Sequence, residues 1–359
     1  MKNNYWIILI IGLSIISSCK NQTNSQFTDE GIWKLGWRMI ENSMNENFEI
    51  AELQFDSLSN ISNKIDRRFL IKGLEIKSKL NKNEEVINML DNQNEETLRL
   101  FCKKEFLTNL KPCNGLSEEK VKNESLKIEL MKMYVDDQAV RGNIMNDIVK
   151  KYELDSTRII KSGEIIIDEK NRSRIAEIFE DYGFSTKEVK IIKEYVNSQK
   201  AIGKSMKDFI SEYDLDSEKI IGATMTFVDE KNRNRLKEIF KEFSFPNKEL
   251  VGKDAMLGIF LIIQHADGDP EWQKSQLKNI ENAVNIGDID GQSYAYLYDR
   301  IKINNGEKQL YGTQFTNIDP IKKTVELADT EDLENLDKRR REVGTMPIEM
   351  YKKIMLKYL

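Results

Sequence analysis

The sequence predicts a mainly α-helical protein with one small β-hairpin near its C-terminus. Apolar residues recur at three- and four-residue spacing through most of the chain, which is typical of helices that bury one face. Only 5 of the 359 residues are proline, so few segments are barred from a helix. The hairpin is expected because Asn305-Gly306 stands between alternating residues, a strong signal for a two-residue turn. The length leaves room for two domains.

The first 18 residues predict a lipoprotein signal peptide. One lysine precedes an apolar run from Tyr5 to Ile16, which is shorter than the roughly 20 residues that cross a bilayer. The run ends in "ISSC", which resembles the lipobox of bacterial lipoproteins. That resemblance implies that Cys19 is acylated and becomes the mature N-terminus, with residues 19–27 as a polar tether. An ordinary signal peptide with an incidental cysteine is the alternative.

A lipidated cysteine would make the membrane a partner of the protein. We therefore expect a cell-envelope location, lipid-anchored at the periplasmic face of the outer membrane. Cys102 and Cys113 then remain as a pair in an oxidising compartment, where they are candidates for a disulfide.

Residues 28–128 carry apolar positions at helical spacing, separated by short polar breaks such as "NSMNEN" and "NKNEE". This pattern predicts a stack of helical hairpins, loosely similar to tetratricopeptide repeats but without a 34-residue signature. Two interpretations stay open: a concave surface for a protein partner, and a helical spacer with a packed core.

Residues 130–359 form the second predicted domain, and it contains a tandem duplication. Residues 133–189 align with residues 194–250 without a gap, with about 24 identities over about 57 positions. Each copy predicts a helix, a short β-prone segment ("EIIID" or "MTFVD") and a second helix. Asp168 or Asp229 is expected to cap that second helix.

The two copies differ at polar positions. The first copy has Asp137 and Arg141 in "DQAVR", where the second has Ser198 and Ile202. If a site needs this arginine, we expect the first copy to reach His265 and the second to act as a spacer.

His265 is the only histidine of the chain, and it follows the segment "KDAMLGIFLII". Because residues 255–263 are apolar on nearly every face, they predict a buried helix with His265 on its last turn. Gly268 is the expected C-cap of that helix. Asp269 and Pro270 are the expected N-cap and first residue of the next one.

The motifs "DQxxR", "VGxxA", "QHAD", "DR" and "YGTQF" together resemble an uncharacterised bacterial family, domain of unknown function 6624, over about residues 130–350. The resemblance implies no activity. The chain departs from the usual family pattern at residues 244–246, where Ser-Phe-Pro replaces Gly-Trp-Pro, and in carrying the extra copy. The residues that carry the motifs are Asp137, Gln138, Arg141, Gln264, His265, Asp267, Asp299, Arg300, Gln309, Tyr311, Thr313, Gln314 and Arg340.

Three functions stay open for these residues. The first is binding of a small ligand or peptide in a polar pocket around His265. The second is non-covalent hydrolase or lyase chemistry, with His265, Asp267 and Arg300 as catalytic candidates and Arg141 or Arg300 holding an anion. The third is a satisfied structural network at the helix end. We favour binding, because the sequence has neither a nucleophile motif nor a phosphate-binding loop.

Composition argues against several classes of function. A net charge of −5 and a pI near 5.4 give no basic surface for nucleic acid. One histidine and no CxxC motif exclude a structural zinc site. Flexible carboxylates around one imidazole, at Asp267, Asp269 and Asp299, are a poor transition-metal set. We therefore predict no metal and no cofactor.

Overall fold

A computed structural model describes residues 29–61, 65–114, 116, 120–142, 145–153, 172–202, 210–319 and 321–357. The signal peptide, the tether with Cys19, and the segment containing "EIIID" and Asp168 lie outside the described residues. The predicted fold class is confirmed, since helices dominate and one two-stranded antiparallel sheet lies near the C-terminus. None of the described helices is long and apolar enough to cross a membrane.

The described chain forms two compact units. One comprises residues 121–279, and the other comprises residues up to 120 together with residues from 280 onward. The helices are α1 (Asp29–Met44), α2 (Phe48–Ile61), α3 (Arg67–Lys79), α4 (Asn83–Asp91), α5 (Glu95–Phe101), α6 (Glu124–Ala139), α7 (Asn146–Lys151), α8 (Arg172–Asp181), α9 (Thr186–Ile202), α10 (Ser217–Phe243), α11 (Lys248–Val251), α12 (Lys253–Gln264), α13 (Pro270–Ser275), α14 (Leu277–Asn285), α15 (Gly291–Asn304), α16 (Leu336–Glu342) and α17 (Ile348–Lys357). The strands are β1 (Phe315–Asp319) and β2 (Thr324–Leu327).

The first helices pack through close ring contacts. A Cβ on Gly36 of α1 would lie 2.3 Å from the Phe69 ring of α3, and one on Gly73 would lie 2.2 Å from the Phe55 ring of α2. Glycine at these two positions is therefore what lets the aromatic rings fill the core between the helices.

The predicted disulfide between Cys102 and Cys113 is confirmed. It links the end of α5 to a short 3₁₀ helix that follows it. Phe101 and Leu107 are fully buried beside this link, so the bridge closes a loop that already packs on apolar side chains.

The predicted hairpin is present, but its turn lies elsewhere. Strands β1 and β2 pair antiparallel, with Asp319 opposite Thr324. Asn305 instead caps the C-terminus of α15, and Gly306 follows with a φ of 73°. An Asn-Gly pair supplies the left-handed conformation that a helix end also uses, so the local signal was ambiguous.

The "MTFVD" segment was predicted as β-prone, and that prediction is wrong. It lies inside α10, which begins much earlier because the Asp216 carboxylate accepts from the backbone N–H groups of Glu218 and Lys219. Asp229 is consequently not a helix cap. Phe227 and Val228 are buried on the core side of the helix, so tertiary packing outweighs their β propensity.

Helix α12 is buried as predicted, with every residue from Gly258 to Gln264 in the core. It ends earlier than expected, because His265 is its C-cap and Gly268 is not. The side-chain amide of Gln273 donates to the carbonyl oxygens of Ile263 and Gln264, each at 3.1 Å. These bonds satisfy the helix end without a glycine cap. Asp269 and Pro270 start α13 as predicted.

Candidate functional site

His265 contacts a carboxylate that comes from the first repeat copy. Its Nδ1 lies 2.8 Å from Oδ1 of Asp137 on α6. The side chains of the two residues are 3% and 1% exposed. A carboxylate at Nδ1 orients the ring and favours the proton on that nitrogen.

Arg141 joins two carboxylates in this cluster. Its Nη1 donates to the backbone oxygen of Asp137 at 2.8 Å and to Oδ1 at 3.2 Å. Its Nη2 lies 2.8 Å from both carboxylate oxygens of Asp229 on α10. Gln138 donates to the other oxygen of Asp137 at 2.8 Å. The expectation that the "DQAVR" copy reaches His265 is thus confirmed. The expectation that the second copy acts as a spacer is wrong, because that copy supplies Asp229 to the same cluster. An incoming anion would have to displace a carboxylate to reach Arg141.

The pKa values of the two carboxyl groups move in opposite directions. Burial would raise the pKa of Asp137, but the charges of Arg141 and His265 lower it to about 2. Burial raises the pKa of Asp229, and the nearby Asp137 carboxylate adds to that effect while Arg141 opposes it. Neighbouring groups with divergent pKa values are typical of sites that bind or move protons.

Asp229 is the part of the cluster that reaches solvent. Its side chain is 14% exposed, whereas those of Asp137 and Arg141 are 1–2% exposed. Two carboxylates meet one guanidinium here, so the cluster carries an excess negative charge when the imidazole is neutral. A neutral or cationic group is therefore the partner that the electrostatics favour at this edge.

The cluster also offers a set of metal-ligand atoms that the sequence did not indicate. Asp137, Asp229 and His265 each present one such atom, all within 4.8 Å of one another. The guanidinium of Arg141 lies against both carboxylates and already provides a positive charge there. A metal ion would have to displace it, so these residues fit a metal ion poorly while Arg141 keeps this position.

Gln264 is buried without a hydrogen-bond partner for its side chain. The residue has no exposed surface, and both Oε1 and Nε2 lack a partner within the described part of the chain. Each unmet buried polar atom costs on the order of 1–3 kcal/mol, so such a group calls for an explanation in function or in bound water. In the family motif "QHAD", His265 and Asp267 thus have hydrogen-bond partners, whereas the Gln264 side chain has none among the described residues.

Asp267 and Asp269, next along the chain, have structural partners. Asp267 accepts from the amide of Gln273 at 3.1 Å, and it also raises the pKa of Arg141. Asp269 accepts from the backbone N–H of Trp272 and pairs with Lys237. These contacts secure the turn between α12 and α13.

In the other unit, Asp299 organises the "YGT" turn. Its carboxylate accepts from the backbone N–H groups of Leu310, Tyr311 and Thr313 at 2.8–3.2 Å, and from the Thr313 hydroxyl at 3.0 Å. Burial raises the pKa of Asp299, and these hydrogen bonds oppose the shift. Gly312 adopts a φ of 65° within the turn, which glycine tolerates best.

The remaining polar motif residues brace the same turn. The Gln309 amide nitrogen donates to the backbone oxygens of Gln314 and Ala328 at 2.9 and 3.0 Å. Arg340 has no exposed surface, donates to the backbone oxygens of Tyr311 and Gly312, and has its guanidinium 5.1 Å from the Tyr351 ring centroid. Burial lowers the pKa of Arg340. Their contacts are those of loop-supporting residues.

The predicted site residues therefore belong to two separate groups. Asp137, Gln138, Arg141, Gln264, His265 and Asp267 lie in the unit of residues 121–279, whereas Asp299, Arg300, Gln309, Tyr311, Thr313, Gln314 and Arg340 lie in the other unit. A single pocket that contains both groups stays a prediction. Asp229 was missed as a site residue because its place after a β-prone run indicated a cap; its spacing of three and four from Asn232 and Arg233 was the helical signal.

Residues 199–358 match the model of the Family of unknown function (DUF6624). The family predicted from the motifs is confirmed, over a shorter span than the predicted residues 130–350. No curated protein and no solved structure matches the chain. The DUF6624 match begins within the second copy, so Asp137, Gln138 and Arg141 precede it.

Proposed function

We propose that the protein is a lipid-anchored envelope protein that binds a small polar ligand at the His265 cluster. The observation that carries the proposal is the side chain of Gln264, whose buried amide has no hydrogen-bond partner among the described residues. A ligand with one acceptor and one donor would satisfy both amide atoms and recover the free energy that their burial costs.

The charges around His265 narrow the chemistry of that ligand. When the His265 imidazole is neutral, Asp137 and Asp229 give the cluster more negative than positive charge, and the partly exposed Asp229 is its edge toward solvent. An anionic ligand would meet repulsion there. We therefore favour a neutral ligand rich in hydroxyl or amide groups, or a ligand with an ammonium group.

Native mass spectrometry tests the proposal. The chain is purified from its membrane fraction without denaturant, and its mass is compared before and after denaturation. We expect wild type to carry an additional small mass that the Gln264→Leu variant lacks. Gln93→Leu, which changes a part-buried glutamine in the other unit, is the control and should keep the mass. An identical adduct in all three proteins would contradict binding at Gln264.

If wild type carries no adduct, the effect of the Gln264→Leu substitution on the free energy of unfolding still tests whether Gln264 is a binding residue. A binding glutamine that is unsatisfied without its ligand destabilises the empty protein, so its replacement by leucine raises the free energy of unfolding. A fall in that free energy would show that Gln264 supports the fold, and the binding proposal would be abandoned.

A second candidate function is acid–base chemistry at His265. The observation in its favour is the contact between Nδ1 and Asp137, which is the arrangement that orients a catalytic imidazole. The burial of the imidazole opposes it, since a substrate must reach Nε2. Loss of turnover in both Asp137→Asn and His265→Gln, with binding retained, would favour this function over binding alone.

A further inference from the structure

Three tyrosines in the unit that contains residues 280–357 form a compact ring cluster. The ring centroids of Tyr294 and Tyr298 are 5.8 Å apart, those of Tyr298 and Tyr311 are 5.8 Å apart, and those of Tyr294 and Tyr311 are 6.4 Å apart. The Tyr311 ring is inclined by 74° and 80° to the other two. Tyr311 therefore meets the other two rings in edge contacts, and the three rings are not stacked in parallel.

The backbone holds this arrangement in place. Tyr294 and Tyr298 are one helical turn apart on α15, so their side chains share a face. Tyr311 comes from the turn that follows, where its backbone N–H donates to the buried Asp299 at 3.0 Å. Because Asp299 also belongs to α15, the same helix positions all three rings.

The rings are only partly covered. All three tyrosines are half-buried, and their hydroxyl groups neither bond to a described residue nor count among the buried polar atoms that lack a partner. The hydroxyl groups therefore reach solvent. A cluster that served only as core packing would bury its rings as fully as Phe55 and Phe101, which have no exposed surface.

The charges near the cluster are those that attract a cation. Burial raises the pKa values of Tyr294 and Tyr311. The Glu281 carboxylate adds to the shift of Tyr294, and the neighbouring tyrosines with the Asp299 and Glu342 carboxylates add to that of Tyr311. The protein's own Lys302 places its ammonium group 5.7 Å from the Tyr298 centroid. One ring of the cluster thus already has a cation within the distance at which the negative ring face is attractive.

We propose that the cluster of Tyr294, Tyr298 and Tyr311 binds the methylated ammonium group of an organic cation. The three centroid separations define a triangle with corners about 3.5 Å from its centre, so a cation about 3 Å above that plane lies about 4.6 Å from every ring, within the ~6 Å range of a cation–π contact. A methylated ammonium suits partly buried rings better than a bare one, because it is larger, less hydrated and presents apolar methyl groups to the ring faces.

This site is independent of the His265 cluster and needs no ligand there. It also differs from the predicted use of Tyr311 beside His265, because here Tyr311 acts with two rings of its own unit. The carboxylates of Glu281 and Glu342 favour a positively charged ligand, and the three tyrosine rings provide the surface that contacts it.

A pair of isosteric probes tests the proposal on the unaltered protein. Choline carries a trimethylammonium group, and 3,3-dimethylbutan-1-ol has the same shape with carbon in place of nitrogen. With ¹³C-labelled tyrosine, we expect choline to shift ring signals of the three residues and to bind at least about 5-fold more tightly than the neutral probe. Equal binding of the two probes, or no shift at about 50 mM choline, would overturn the proposal.

Substitutions then locate the site. Tyr298→Leu should weaken choline binding at least about 10-fold, whereas Tyr298→Phe, which keeps the ring, should stay within about 3-fold of wild type. Tyr213→Leu removes an exposed tyrosine of the other unit and should change nothing. Equal loss in the leucine and phenylalanine variants of Tyr298 would assign binding to the hydroxyl group, and loss in Tyr213→Leu would place it elsewhere. Either result refutes the proposal.

Discussion

Arg141 and Asp229 lie 88 positions apart, and the guanidinium Nη2 of the first is 2.8 Å from both carboxylate oxygens of the second. The pair joins a helix of the first repeat copy to a helix of the second. It also fixes the position of Asp137, the residue that contacts His265. The candidate site is therefore assembled from both copies.

Replacement of two buried glutamines by leucine should change the free energy of unfolding in opposite directions. Gln264→Leu removes an amide without partners and should raise the free energy of unfolding by about 1 kcal/mol. Gln273→Leu removes three hydrogen bonds of one amide and should lower it by about 2 kcal/mol. Urea unfolding followed by circular dichroism measures both. A loss of stability in Gln264→Leu as large as that in Gln273→Leu would mean that the Gln264 amide has partners in solution.

Arg141→Ala should destabilise the fold strongly. It leaves Asp137 and Asp229 as neighbouring carboxylates without their shared cation, and loss of one partner of a buried ion pair costs about 3–5 kcal/mol. Ile202→Val, at the equivalent position of the second copy, should cost less than about 1.5 kcal/mol. Thermal unfolding compares the two. Similar losses in both variants would contradict the unequal roles of the copies.

Asp137 should make the protein sensitive to acid. Its pKa of about 2 in the folded state lies below the ordinary value of 3.8. The carboxylate thus contributes stability that is present above about pH 4 and is lost as the pH falls toward 2, amounting to about 2 kcal/mol. The stability difference between wild type and Asp137→Asn should shrink over this interval. A difference that stays constant from pH 5 to pH 2 would argue against the lowered pKa.

The contribution of Asp229 to folding stability should change with pH in the direction opposite to that of Asp137. Because burial raises its pKa, its carboxylate costs stability as the pH rises through that raised value. Asp229→Asn removes this cost but also the ion pair with Arg141, so its stability relative to wild type should improve as the pH rises from 3 to 7. A relative stability that falls with increasing pH would contradict the raised pKa.

Cys19→Ala should abolish lipidation. The prediction rests on "ISSC" and the polar segment that follows it. The variant should keep its leader peptide, fail to incorporate labelled fatty acid and leave the membrane fraction. Incorporation that persists in Cys19→Ala would exclude this cysteine as the lipid attachment site.

Local physics made much of the fold predictable. Apolar residues on every face of the segment before His265 identify a buried helix, because that pattern leaves no polar face for water. The Asp269-Pro270 cap and the Cys102–Cys113 bridge follow from similarly local rules or from counting. The buried helix, the helix cap and the disulfide each depend on residues that are close together in the chain. Contacts with residues distant in sequence therefore change these features little.

Tertiary structure decided what the local rules left ambiguous. "MTFVD" has β propensity, but Asp216 caps a helix that starts upstream, and core packing keeps the segment helical. As a result, Asp229 pairs with Arg141 and does not cap a helix. Asp299 bonds to the turn of its own unit, a contact that its motif did not indicate. By itself, the sequence determined the helical class, the family motifs and the polar residue types at the site. Which carboxylate meets His265, and which amide is left without a partner, depended on helix docking across gaps of 88 and 128 residues. Contacts at such separations arise from the packing of whole surfaces, and residue spacing carries no record of them.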